Sequence, residues 1–417
     1  MAFQQGLSGL NAAARHLDTI GHNVANASTV GFKASRAEFA DVYATTVYGV
    51  SNVSPGIGTE VAAIAQQFSQ GALTTTNNSL DLGINGGGFF RMSDNGGAIT
   101  YTREGQFKLD KNGYIVNASG KRLTGYPVDK NGVVTNGTAQ DLKLDSTDIA
   151  PKATTSAAVR VNVDARATTP ANAFTLTDAK TYDGGTSVSV FDSLGREHVM
   201  AMYFRKTGDN SWEVHGTLDG EPLKGGAAVG KLAFNPNGTL KGASDGDGDP
   251  TTSNAMTFDV SLNMGADAGG NQTISVNFAD TTQFGTNFTV AHQEQNGNGS
   301  GKLAGFSVGR DGSLMARYTN GQTVSKGRVA LANFTNPQGL QPLGGNQWGE
   351  TADSGAPLVG SPSTGTLGVI QSGALESSNV DLTQELVNMI TAQRVYQANA
   401  QTVRTHDQLL QTIVNLR

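Results

Sequence analysis

The fold class to expect is mainly β with long α-helical termini, and three observations lead to it. Apolar residues at both chain ends recur every three and four positions. Between the ends, short alternating runs are divided by Asn-Gly and Asp-Gly type turns. The 417 residues include 54 glycines but only 11 prolines, which suits many tight β-turns rather than a collagen-like or disordered chain.

At the N-terminus, Phe3, Leu7, Leu10, Ala14, Leu17 and Val24 share one stripe of a helix, with Gly21 interrupting it. The helix should end near Asn26, where Ala27-Ser28-Thr29-Val30-Gly31 replaces the periodicity. At the other end Leu382, Leu386, Met389, Tyr396, Ala400, Val403 and Leu410 repeat the spacing, and Asp381 or Asn379 is positioned to cap it. About nine turns follow without Gly or Pro, a length that requires a partner.

Residues 29–80 with 372–378 read as an extended connector, with loop signals at Ser54-Pro55-Gly56 and Thr74–Ser79. From Leu82 to Ile149 the turns Asp94–Gly97, Asp110–Gly113, Ala118–Gly120 and Asp129–Gly132 separate short strands. A Thr/Ala-rich stretch, Ala150–Ser156, opens a second β-rich region that includes Val188–Phe191 and the alternating Val199, Ala201 and Tyr203. After Asn296–Gly301 the first style returns, with turns at Gly309–Gly312 and Thr319–Gly321. The expected architecture is therefore nested. The helices (1–28 with 379–417) pair as a coiled-coil-like inner domain. A middle β domain (81–149 with 297–371) is interrupted by an outer one (150–296), both antiparallel.

Composition limits the chemistry. No cysteine is present, which removes disulfides, thiolate nucleophiles and Cys-ligated metals. Net charge is −6, and the basic residues are scattered, so neither a nucleic-acid footprint nor a membrane-seeking face is expected. The N-terminus has no basic run before an apolar core, and no run of ~18 apolar residues occurs, so neither a Sec-type signal nor membrane insertion is expected.

Gly305-Phe306-Ser307-Val308-Gly309 matches the nucleophile-elbow string, but a hairpin turn follows where a helix is needed. Asp245–Asp249 imitates a calcium loop, with Pro250 and Met256 at positions that need glycine and glutamate. The six histidines form no i,i+4 pair. No catalytic, cofactor-binding or metal site is assigned.

A helical apolar stripe more often marks ordinary core than an assembly seam. Here both stripes lie at the chain ends, and their opposite faces carry mainly Gln, Asn, Ser and Thr, with few charges. The expected polymer seam is Leu7, Leu10, Leu17, Val24, Leu382, Leu386, Met389, Tyr396, Val403 and Leu410. A secreted β-rich adhesin or glycan-binding module is the reading of a different class; Trp212 and Trp348 fall in separate expected domains, which leaves it no aromatic platform.

The stretch Ile20–Lys33, with Asn23, Asn26, Thr29, Gly31, Phe32 and Lys33, closely resembles the N-terminal signature of the bacterial flagellar rod and hook axial proteins. Gly373–Leu382 and Gln393–Ala400 resemble the C-terminal signature. Asp81–Phe90, Tyr101–Phe107 and Asn333–Leu340 look like the family's middle domain, and Val190–Gly195 with Tyr203–Thr207 resemble the outer domain of its hook members. The resemblance implies a subunit that stacks into a short curved tube joining rod to filament and transmitting torque, in the extracellular flagellum. It also implies distal rod, hook-filament junction and hook cap proteins as partners, and export through the flagellar type III apparatus without a cleaved signal. Distal rod or junction protein is the runner-up within the family.

Overall fold

In the computed structural model every residue is described except 1, 43–55, 95, 130–131, 136, 145–146, 253–254, 266, 268–269 and 416–417. The turn signals at Ser54-Pro55, at Asn95 and at Lys130-Asn131 therefore lie outside the described residues. The chain is mainly β between two helices, α1 (Ala2–Ala25) and α2 (Leu382–Asn415). It divides into two compact units, one of Met1–Ser146, Gly305–Arg317 and Thr323–Arg417, the other of Thr147–Ala304 and Tyr318–Gln322.

In the first unit, α1 runs unbroken through Gly21 and stops where Asn26 donates its side-chain amide back to the His22 carbonyl. α2 starts at Asp381, whose Oδ1 accepts the N–H groups of Thr383 (2.9 Å) and Gln384 (3.2 Å). Asn379 plays another part: it accepts from the Ala34 N–H and donates to the Gln67 carbonyl. Over 34 residues α2 is about 51 Å long.

The 29–80 segment is more than an extended run. Strands β1 (Ser35–Val42) and β2 (Gly58–Gln66) form an antiparallel ribbon with a bulge at Glu38/Phe39, packed on α1 through Phe39 and His16 (5.8 Å between rings). Polar and small residues on both strands hid this pairing from a reading that looked for alternation.

The β body of this unit buries both faces of its central strand, Phe89–Ser93. Phe90 and Met92 join Leu82, Ile115, Leu123 and Val329 on one side, while Phe89 meets Tyr101, Phe334 and Trp348 on the other. The expected turns at Asp94 and Asp110 form as Asx-turns. The Asp110 carboxylate accepts from the N–H groups of Asn112 and Tyr114, and Gly113 takes φ +84°.

The second unit packs two sheets around one core in which Val159, Val161 and Val163 meet Met200, Met202, Phe204, Trp212 and Val214. One sheet is antiparallel, Gly184–Phe191, Glu197–Gly208, Ser211–Leu218, Gly230–Phe234 and Leu240–Asp245 in order. The other corrects the expectation of purely antiparallel β structure: Ser156–Asp164 runs parallel to Asn271–Asn277 and to Thr282–Phe284. Turn motifs report only hairpin neighbours, whereas this pairing joins strands separated by the whole first sheet. The alternation in 199–204 is also shifted by one residue, because Met200, Met202 and Phe204 face the core while Val199 is exposed.

Candidate assembly surface

α1 and α2 lie antiparallel. Gly6 faces Val403, Gly9 faces Asn399, and the Asn23 amide approaches Glu385 Oε1 at 3.5 Å. The contact is built on small residues: a Cβ on Gly6 would come 3.0 Å from Val403 Cγ2, and one on Gly9 2.9 Å from Asn399. Ala12, Ala13 and Ala392 are buried, and with His16, Phe39 and Val395 they line an apolar groove of about 510 Å³.

The residues that touch α2 are displaced by one position from the leucine stripe. Gly6, Gly9 and Asn23 precede Leu7, Leu10 and Val24; on α2 Glu385 and Asn399 precede Leu386 and Ala400, whereas Val403, itself a stripe residue, meets Gly6. One residue is ~100° round a helix, so the leucines point elsewhere. Leu7, Leu382, Leu386, Tyr396 and Leu410 are exposed, and Leu10, Leu17, Val24, Met389 and Val403 are partly buried. Val387, Ile390, Val395 and Leu409, which the heptad spacing passed over, are exposed as well. Their signal was available, since they lie beside the chosen stripe and widen it.

The signature residues at the end of α1 form a different structure. Asn23 is buried and uses both ends of its amide on one residue: Oδ1 accepts the Ser35 N–H and Nδ2 donates to the Ser35 carbonyl, each at 2.8 Å. It thereby ties the start of β1 to the helix. Thr29 donates to Asn26 Oδ1 (3.3 Å) inside the turn that follows. Gly31 takes φ +68°, and a Cβ there would lie 2.6 Å from the Glu104 nitrogen, which leaves room for glycine alone. Phe32 is buried, 5.4 Å from the His22 ring.

Lys33 ends the signature inside the protein. Its Nζ donates to Glu376 Oε1 (2.6 Å) and to the Ser69 carbonyl (2.7 Å). Arg103 donates from Nη1 to Glu376 Oε2 (3.0 Å) and from Nη2 to the Gly86 carbonyl (2.9 Å). The Gly71 N–H also bonds Oε1 at 2.9 Å, and the Glu376 carbonyl accepts the Gly31 N–H at 2.8 Å. One buried carboxylate thus joins both signature segments to the β body. Desolvation pulls Lys33 and Arg103 below their ordinary ranges, and the Glu376 charge opposes that pull in both. Glu376 and Arg103 lie in the family-like segments Gly373–Leu382 and Tyr101–Phe107, but no periodic or spacing signal marks them as partners of Lys33.

No group of three His, Cys, Asp or Glu suited to a metal ion occurs among the described residues. Ser307 is an exposed residue of the strand Leu303–Val308, and a turn closed by Gly312 N–H to Gly309 carbonyl follows it. No described helix is long and apolar enough to cross a membrane.

Four family descriptions match in chain order: "Flagella basal body rod protein" over residues 3–33, "Flagellar hook protein FlgE/F/G D1 domain" over 83–169, "Flagellar basal body protein FlaE D2 domain" over 162–298, and "Flagellar basal body rod FlgEFG protein C-terminal" over 371–416. The chain is 42% identical to the flagellar hook protein FlgE of Escherichia coli and 41% identical to that of Salmonella typhimurium, each over 100% of both chains. It is 31% identical to that of Borreliella burgdorferi over 99% of this chain and 98% of the other. The crystal structure of Helicobacter pylori flagellar hook protein FlgE2 shares the fold, with a TM-score of 0.55 at 14% identity over 73% of this chain and 100% of that one. With both signatures, the β body between them and an end-to-end match, the chain belongs to the flagellar hook protein FlgE family.

Proposed function

We propose that this chain polymerises through its terminal helices to build the hook as a curved, flexible tube that carries torque from rod to filament. As a FlgE family member it is a structural subunit of the flagellar hook. The observation that carries the helical seam is the row of large apolar side chains left exposed on α1 and α2: Leu7, Leu382, Leu386, Val387, Ile390 and Val395 among them. Each contributes roughly 1.5–3 kcal/mol when fully buried, and the small-residue contact between the two helices leaves them unused.

In this reading residues 1–28 with 379–417 form a coiled-coil-like inner domain whose Gln/Asn faces line a channel for unfolded export cargo. Residues 29–80 with 372–378 connect it to a middle domain of 81–149 with 297–371, into which 150–296 is inserted as an outer domain. The seam comprises Leu7, Leu10, Leu17, Val24, Leu382, Leu386, Met389, Tyr396, Val403 and Leu410. The exposed Val387 and Ile390 extend it. Gly- and Thr-rich outer surfaces suit wet contacts that slide as the tube rotates. The distal rod protein, hook-filament junction protein, hook cap protein and flagellar type III export apparatus are its proposed partners, with export independent of a cleaved Sec signal. A rod or junction role is not favoured, because the relatives matched from end to end are named hook proteins.

The test compares the full chain with one lacking Met1–Ser28 and Val380–Arg417, by negative-stain electron microscopy and circular dichroism at rising concentration. Tubes from the full chain alone support the seam. Monomers of both under every salt condition would reduce the stripes to ordinary helix surface.

A further inference from the structure

A cavity of about 490 Å³ opens where α1 ends against the β body, lined by His22, Asn26, Lys33, Glu104, Gln106 and Trp348 among others. Most of its polar lining is already paired: Lys33 on Glu376 and Ser69, Trp348 on Gln66, and Asn346 on the Val30 carbonyl. Glu104 differs. Its carboxylate is half-buried and has no hydrogen bond or ion pair among the described residues, and burial pushes it up from the usual carboxylate range. An unpaired carboxylate in a part-desolvated cavity loses hydration without compensation, and a cation entering the cavity restores it.

The terminal helices supply matching groups. Arg15 on α1 and Arg394 and Arg404 on α2 are exposed, with no acidic partner among the described residues. His22 and Asn26, at the end of α1, belong to the cavity lining, so the cavity adjoins the helix assigned to assembly.

We infer that the cavity beside Glu104 receives an arginine from the terminal helices of a second copy of this chain. The inference rests on the polymerisation proposed above and adds a polar, register-setting contact to an apolar seam. An apolar stripe tolerates sliding by a turn; a carboxylate in a walled cavity accepts a guanidinium at one axial offset only.

The experiment measures the critical concentration for polymer formation by sedimentation, at low and high ionic strength, for the full chain and for Glu104→Gln and Glu104→Arg. Circular dichroism of the monomers checks their fold. Glu104→Gln is expected to raise the critical concentration roughly three- to tenfold at low salt, with a smaller gap at high salt. Glu104→Arg should raise it further, and adding one of Arg15→Glu, Arg394→Glu or Arg404→Glu should return it toward wild type. If Glu104→Arg misfolds, Glu104→Gln combined with each Arg→Gln reads the same coupling as a double-mutant cycle. Wild-type concentration and salt dependence for Glu104→Gln, with the wild type polymerising, would overturn this inference and leave the function standing. Loss of assembly with neither rescue nor coupling by any of the three arginines would also overturn it. A wild type that never polymerises removes the seam and this contact together.

Discussion

Lys33 Nζ lies 2.6 Å from Glu376 Oε1, neither side chain has exposed surface, and the two residues are 343 positions apart. Arg103 holds the other carboxylate oxygen, so a single anion compensates two buried cations. Glu376→Ala would leave both cations without a counter-charge and should cost about 3–5 kcal/mol. Lys33→Met, which leaves Glu376 bonded to Arg103 and Gly71, should cost less, about 1–3 kcal/mol. Urea unfolding in a Trp212→Phe background checks both, since Trp348 then reports the unit that holds these residues.

Two glycines of the N-terminal signature should respond in opposite directions to alanine. Gly31→Ala forces a Cβ against the Glu104 backbone at φ +68° and should destabilise by about 1–3 kcal/mol. Gly21 is helical and a Cβ there meets nothing within 4 Å, so Gly21→Ala should stabilise α1 by about 0.5–1 kcal/mol. Helix content and melting temperature of the two variants distinguish them.

In the second unit the Asp192 carboxylate is buried, which alone would raise its pKa. Bonds from Arg196 Nε (2.7 Å) and from the N–H groups of Arg196 and Leu194 overcome that and hold it at about 2. A depressed folded pKa contributes stability that is present above the unfolded value near 3.8 and is lost as pH falls from there through about 2. Asp192→Asn should abolish this acid-side slope, worth up to about 2 kcal/mol. Trp212 fluorescence melts between pH 2 and 7 measure it.

Leu386→Gln and Ile390→Gln alter exposed positions on α2. Monomer stability should stay within about 0.5 kcal/mol of wild type. The critical concentration for polymer should rise by at least about tenfold, the equivalent of losing one buried apolar side chain. Sedimentation and thermal melts separate the two effects.

Local rules made much of the chain legible. Periodicity carried both helices, Asp381 and Asn26 marked their ends, and the Asp-x-x-Gly turns followed from side chains that bond their own backbone. The β1–β2 ribbon was harder to see, because its strands carry alanine, glutamate and threonine in place of alternating apolar residues and depend on α1 for a packing surface. Of the signature, Gly31 stood out as a turn residue, while the roles of Asn23 and Lys33 depend on Ser35 and Glu376, one close in sequence and one at the far end.

The amino-acid sequence by itself determined the two terminal helices, the turn-punctuated β body and the family, since each rests on spacing or on contiguous residues. On α1, tertiary structure decided which of two neighbouring helical stripes meets the partner helix. A one-residue shift leaves the periodicity unchanged, and only the close approach allowed by Gly6 and Gly9 selects the phase. It also decided the parallel pairing of Ser156–Asp164 and the convergence of Lys33, Arg103 and Glu376, because contacts between residues separated by tens to hundreds of positions leave no local pattern to read.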